Sequence, residues 1–339
     1  MSTQVYMLTG FLGSGKTTLL QNMLTSMQEK HGKVVVLMNE MGEEDIDGEQ
    51  LQRFGFPVKK MLNGCICCTL QGELAEGLKE ILPALSPDKI LIETTGAADP
   101  LDVIDALTHP EVYDQLELKG IISVVDASRF LDLNSRFQSS GALVRTIRNQ
   151  VKYADLLLLN KTDLTTPDTA NKVEAKLKQL NPLAPLHRTV QSSVELDLLL
   201  SVKRISRTGE AERVAKLPLQ TSIGRFSPID KLKQSLGRKT APPSLYNSIE
   251  SFAYYFTGPV DPEKFEDFLY DLPKNVFRAK GYVLFHGKQE LISFQQTDNQ
   301  VLFFPFEDFG PKRLAVFIGQ EMEQEKIIRD LERCYVRRQ

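Results

Sequence analysis

No apolar run in this 339-residue chain approaches the roughly 18 to 20 residues that a membrane span needs. Neither charge dominates, since 41 Lys and Arg stand against 44 Asp and Glu for a formal net charge of −3. That balance gives no general electrostatic reason to bind nucleic acid or a membrane. Met1-Ser2-Thr3-Gln4 runs straight into a strand-like segment, without the basic region and apolar core of a signal peptide. A cytoplasmic protein with reduced thiols is expected. Cysteine is scarce, and three of the four cysteines sit in Cys65-Ile66-Cys67-Cys68. Cys334 is the only partner outside that cluster, which argues against a disulfide framework; it reads as a packing residue on a terminal helix. His31, His109, His187 and His286 stand apart from one another, so no histidine tract can store several ions.

What is present suggests two domains, because a chain of this length is too long for one core. Up to about residue 205, short apolar runs alternate with amphipathic stretches. Val5–Thr9, Val34–Asn39, Lys89–Glu93, Gly120–Asp126, Asp155–Asn160 and Leu186–Val190 read as strands. Lys16–Gln28, Leu70–Leu85, Leu101–Leu107, Ala142–Tyr153 and Asp168–Leu180 read as helices. Several strands are apolar throughout, as expected when helices cover both faces of a parallel sheet. The expected fold is α/β, with a doubly wound, mostly parallel sheet over residues 1–205, followed by a smaller α+β domain over 246–339.

Between them, residues 206–245 read as a basic linker. Ser201 to Leu245 holds ten Lys or Arg against three acidic residues, with prolines at 218, 228, 242 and 243. A docking surface for an acidic partner is the alternative. In the second unit Ile249–Thr257, Val276–Phe285, Glu290–Gln296, Val301–Phe304 and Arg313–Ile318 read as strands, with helices at Asp261–Leu272 and Met322–Cys334.

Gly10-Phe11-Leu12-Gly13-Ser14-Gly15-Lys16-Thr17, followed by Thr18, matches G-x-x-x-x-G-K-[ST] between a strand and a helix, which makes the expected doubly wound domain a P-loop NTPase. Glycines let such a loop turn tightly and aim backbone N–H groups at phosphate oxygens. Lys16 neutralises the β- and γ-phosphates, and the Thr17 hydroxyl can ligate Mg2+. Asn160-Lys161-Thr162-Asp163 follows the apolar strand about 145 residues after this loop. There an N-K-x-D sequence reads guanine: Asp163 accepts from N1–H and the exocyclic amine together, a donor pair adenine lacks. Asn160 would brace the loop and the Lys161 stem cover the base, so the nucleotide is expected to be GTP.

Glu93, ending the strand in Ile90-Leu91-Ile92-Glu93-Thr94-Thr95-Gly96, is the favoured acidic group for Mg2+. Asp126 competes for that role or serves as an N-cap before Ala127-Ser128. Gly96 could present its N–H to the γ-phosphate and sense its loss. In the acidic loop Asn39 to Gly48, Glu40 and Glu43 could contact Mg2+, position the attacking water, or supply oxygen ligands to a second metal; Glu44 and Asp45 read as surface acidity.

The cysteines follow strand-like Pro57–Leu62. Three thiolates there leave a tetrahedral ion one open position, which suits Zn2+. Co2+ and Ni2+ accept such ligands too. Cys65 and Cys68 also have C-x-x-C spacing, so redox chemistry and simple burial stay open.

Together these residues resemble the CobW-like family of metallochaperone GTPases, relatives of urease, hydrogenase and cobalamin accessory proteins. The likeness runs through Gly10–Thr17, Asn39 to Gly48, Gly64–Cys68, Glu93–Gly96 and Asn160–Asp163. It continues in Phe277-Arg278-Ala279-Lys280-Gly281 and Phe317-Ile318-Gly319. It implies slow GTP hydrolysis and the handling of Zn2+ or a similar ion for a metal-requiring client chosen by the second domain. Many members carry a His-rich stretch that this chain lacks. A metal-responsive GTPase regulator and a nucleotide-gated thiol-redox protein are the rival functions. Oligomeric state is left open, a homo-oligomer included.

Overall fold

The computed structural model describes residues 2–27, 32–39, 57–61, 69–135, 140–204, 249–297, 300–306 and 312–336. Cys65, Cys67, Cys68, Glu40, Glu43, His31 and the basic stretch from 205 to 248 lie outside the described residues.

Thr3–Thr9 (β1), Val34–Asn39 (β2), Val58–Met61 (β3), Lys89–Glu93 (β4), Leu116–Asp126 (β5), Leu156–Asn160 (β6) and Leu186–Arg188 (β7) form one sheet. Its order is β3-β2-β4-β1-β5-β6-β7, and every pairing is parallel. Helices cover both faces: Lys16–Met27 (α1), Thr69–Leu85 (α2), Pro100–Leu107 (α3), Phe130–Leu133 (α4), Gly141–Lys152 (α5), Pro167–Leu180 (α6) and Leu196–Leu200 (α7). The two-residue period of a strand divides β1 between the layers. Val5 and Met7 pack with Leu74, Leu78, Val103 and Ile104 of α2 and α3, while Tyr6 and Leu8 pack with Leu19, Leu20 and Met23 of α1. Each fully buried side chain of this kind stabilises the fold by roughly 1.5–3 kcal/mol.

Several helices begin where the sequence supplies an oxygen cap and a proline. Asp99 precedes Pro100 and Thr166 precedes Pro167, each side chain accepting a backbone N–H of the first turn. β5 starts at Leu116 rather than Gly120, because the alternating Leu116-Glu117-Leu118-Lys119 still pairs with β1 from Thr3 onward. The short helices α4 and α7 went unread, since four or five residues carry no helical period. β7 ends at Arg188, two residues before the expected limit.

Glu250–Tyr255 (β8), Val276–Leu284 (β9), Leu291–Thr297 (β10), Gln300–Phe306 (β11) and Leu314–Gly319 (β12) form a second, antiparallel sheet in the order β11-β10-β9-β12-β8. Pro262–Tyr270 (α8) and Gln324–Glu332 (α9) complete this unit, whose core is aromatic around Phe265, Phe294 and Phe317. Gly281 is required there, because a Cβ at that position would stand 1.8 Å from the Leu314 carbonyl oxygen of β12. Cys334 lies beyond the end of α9 rather than on it. It is buried, donates from Sγ to the Lys264 carbonyl at 3.4 Å, and burial pushes its thiol up to about 11.

Ion pairs join the two sheets' units through α3 and β9. Arg278 reaches Asp102 at 2.8 Å and Asp105 at 3.4 Å, and Lys280 reaches Asp105 at 2.9 Å. Tyr282 donates to Glu111 at 2.8 Å. Ile249 and Ile318 pack into the core of the first unit.

Candidate nucleotide site

β1 is central, with β4 on one side and β5 on the other, and the phosphate-type loop springs from its carboxyl end. In open α/β sheets ligands bind at that end, where the strand order reverses. Gly15 has φ +109°, and a Cβ there would stand 2.4 Å from the Asn160 amide nitrogen. Only glycine accepts both that backbone angle and that approach.

Inside the loop Lys16 is buried, and its Nζ donates to the Gly10 carbonyl at 2.8 Å and that of Phe11 at 3.3 Å. Burial pulls the Lys16 pKa down from its ordinary value and the charge of Glu93 pulls it up, the net shift being downward. Thr17 Oγ1 donates to Glu93 Oε1 at 2.8 Å, which ties the first turn of α1 to the end of β4. Ser14 is buried, whereas Thr18 is exposed on α1.

Asp126 lies elsewhere in the site. Its Oδ1 accepts from the backbone N and Oγ of Ser128 at 2.9 and 2.6 Å, and its Oδ2 pairs with Lys161 Nζ at 2.8 Å. Burial works against its charge, but Lys161 and Ser128 hold the carboxyl below the usual range. It closes a local turn and is not an N-cap, because Arg129 occupies the cap position of α4 without a side-chain bond.

β6 carries Asn160 to the same edge, in register with Asp126 of β5. Asn160 Nδ2 donates to the Ser14 carbonyl at 2.9 Å. Its Oδ1 accepts from the Ser192 backbone at 2.8 Å and Thr189 Oγ1 at 3.1 Å. Lys161 takes a left-handed backbone, φ +58°, and donates to the Gly13 carbonyl at 2.5 Å. Asp163, on the short turn after it, is exposed.

The segment after β4 closes the site from the other side. A Cβ on Gly96 would meet the Leu12 backbone nitrogen at 2.4 Å, so this loop touches the phosphate-type loop directly. The structure thus brings Gly10, Gly13, Ser14, Gly15, Lys16, Thr17, Glu93, Gly96, Asn160 and Lys161 together. It also contributes Ser192, whose Oγ donates to the Gly15 carbonyl at 2.9 Å, and Gln150, whose amide reaches the Gly96 carbonyl at 3.1 Å. Sequence reading missed both. The polar Thr189 to Ser193 stretch after β7 was a usable signal for Ser192; nothing in the sequence marked Gln150.

The residues fit a bound nucleotide. Among the described residues, the buried hydroxyls Ser14 Oγ and Thr94 Oγ1 lack a protein hydrogen-bond partner, and Lys16 donates only to the loop's own carbonyls. The CobW/HypB/UreG nucleotide-binding domain matches residues 4–188. The chain belongs to that family.

The C-terminal domain of the cobalamin synthesis protein CobW matches residues 249–335. The chain is 31% identical over 340 residues to the zinc chaperone YjiA of Escherichia coli K12, covering 95% of this chain and 96% of that one. It is 26% identical over 320 residues to the zinc chaperone CobW of a Sinorhizobium species, covering 87% and 85%. The crystal structure of Zn(II)-bound YjiA GTPase from E. coli aligns with a TM-score of 0.46 and 24% identity, over 99% of this chain and 100% of that chain. Among the described residues no helix is long and apolar enough to cross a membrane.

Proposed function

We propose that this protein is a slow GTPase that carries Zn2+ at Cys65, Cys67 and Cys68 and hands it to a client protein under nucleotide control. The observation that carries the nucleotide half is the joining of two distant segments: Asn160 holds the Ser14 carbonyl at 2.9 Å and Lys161 the Gly13 carbonyl. A base placed beside Lys161 meets the exposed Asp163, whose carboxylate accepts the paired donors of guanine. Lys16 and the loop N–H groups take the phosphates. Thr17 and Glu93 would hold Mg2+, which when bound neutralises phosphate charge. Gly96 N–H meets the γ-phosphate, and Glu40 positions water. The metal half rests on the three-thiolate motif and on the relatives named zinc chaperones. Glu43 is a further oxygen ligand for the metal in this reading. In this reading residues 1–205 are the GTPase, 206–245 a basic linker, and 246–339 the part that selects the client.

The test is metal analysis of protein purified under reducing conditions, with Zn2+ competition by a chelator in GTP and in GDP. Replacing Cys65, Cys67 and Cys68 by Ser should abolish stoichiometric Zn2+ binding and leave GTP binding intact. Unchanged Zn2+ affinity in that variant overturns the metal site. Identical Zn2+ release in both nucleotides leaves a regulator rather than a carrier.

A further inference from the structure

Asn149 and Gln150, adjacent on the last turn of α5, grip the segment between β4 and α3. Gln150 is 2% exposed, and its Nε2 donates to the carbonyls of Gly96 and Ala98, each at 3.1 Å. Asn149 Nδ2 donates to Asp99 Oδ2 at 2.6 Å. The other oxygen of Asp99 accepts from Leu101 N at 3.0 Å and caps α3. On its far side the same segment is held by Thr94 N on the Leu8 carbonyl at 3.0 Å and by Gly96 pressed on Leu12.

A buried amide costs free energy unless it is hydrogen-bonded, and an apolar side chain could fill the same space without that demand. What Gln150 adds over an apolar residue is direction: both amide hydrogens point at loop carbonyls. The Gly96 carbonyl is tied on one side, the Gly96 Cα lies against the phosphate-type loop, and Thr94 N is held on Leu8, so the short stretch carrying the Gly96 N–H is fixed at both ends before a ligand arrives. Order already present in the free protein does not weaken binding.

We propose that Gln150 is a positioning residue that holds Gly96 ready for the γ-phosphate, with Asn149 anchoring the α3 end, so that the pair favours GTP over GDP. This rests on the nucleotide reading above. GDP does not extend to Gly96, and its affinity is therefore indifferent to the clamp.

The test uses the full chain with Mg2+. Gln150→Met keeps the side-chain length and removes the donors. Binding of GDP and of a non-hydrolysable GTP analogue is measured, together with single-turnover GTP hydrolysis. Loss of two hydrogen bonds is expected to weaken the GTP analogue by about tenfold or more, and to slow hydrolysis, with GDP affinity within about twofold of the parent. Equal weakening of both nucleotides, or no change in either, overturns the proposal. If Gln150→Met does not fold, Asn149→Ala at its half-buried position carries the same comparison: a loss confined to the GTP analogue supports the clamp, and an equal or absent loss overturns it. A parent protein that binds neither nucleotide overturns the nucleotide reading itself. A parent that prefers GTP, with variants that match it, overturns only the clamp.

Discussion

Thr17 donates a 2.8 Å hydrogen bond to Glu93 across 76 residues of sequence, joining the first turn of α1 to the end of β4. Asp126, the rival acidic residue, is instead bound to Lys161 and Ser128. Glu93→Gln should therefore raise the Mg2+ requirement for GTP hydrolysis and lower activity by roughly 10- to 100-fold. Asp126→Asn should leave the Mg2+ dependence in place. A Mg2+ titration of hydrolysis in the two variants separates the roles, and a Mg2+ response altered only by Asp126→Asn would reverse the assignment.

In the proposed nucleotide site, Asp163 is the residue that selects the base. Hydrogen bonds to a charged group contribute about 1.5–3 kcal/mol each, so removing two accepted bonds in Asp163→Asn should weaken GTP by roughly 100-fold or more. Xanthosine triphosphate carries a carbonyl where guanine has its amine and should bind the Asn variant better than the parent. Competition binding with both triphosphates checks this, and undiminished GTP affinity would place the base elsewhere.

At the seam between the two sheets, burial pulls the Lys280 pKa down while Asp105 pushes it up, the net shift being downward. Asp105→Ala leaves the Lys280 ammonium buried without its carboxylate and should cost about 3–5 kcal/mol of stability. Asp105→Leu combined with Lys280→Met removes both charges and should recover most of that loss. Denaturant unfolding of the three proteins is the measurement. A double variant no more stable than Asp105→Ala would show that the pair matters for more than its own neutralisation.

His109 faces Lys280 and Lys79 as well as Glu111 and Glu76. Burial, then the charges of Lys280 and Lys79, lower its pKa from 6.5 to about 4, with the two glutamates opposing. The unfolded chain takes up a proton below 6.5 that the folded chain refuses until about 4. The histidine's stabilising effect is thus complete above the upper value and is lost as pH falls through this window, by roughly 3 kcal/mol. Replacing His109 with Gln should flatten that part of the stability profile in unfolding measured between these pH values. A profile parallel to the parent's would mean that His109 does not carry the proton.

Long elements were legible because burial writes a period into sequence. Val34 to Met38 are buried throughout, and only a strand covered on both faces tolerates such a run. The helices expected from Leu101 and Asp168 begin one residue earlier, at Pro100 and Pro167, because Asp99 and Thr166 cap them there. Short elements escaped, and so did Leu116–Lys119 at the start of β5, where one polar face disguised a paired strand. The segments of the nucleotide site were readable one by one, since each is contiguous and its residue types are dictated by phosphate or base chemistry.

How those segments meet was not written locally. Sequence alone determined that a glycine loop with Lys16 opens a helix after a strand, that Asn160 to Asp163 ends a strand, and that three thiols lie between them. These are short-range patterns, in which one residue's chemistry constrains its near neighbours. Tertiary structure decided that Glu93 rather than Asp126 touches Thr17, that Lys161 lies on Gly13, and that Gln150 holds Gly96. Those contacts depend on strand order and the angle of α5 across the sheet. Both come from packing summed over the whole core, and no window of sequence contains that sum.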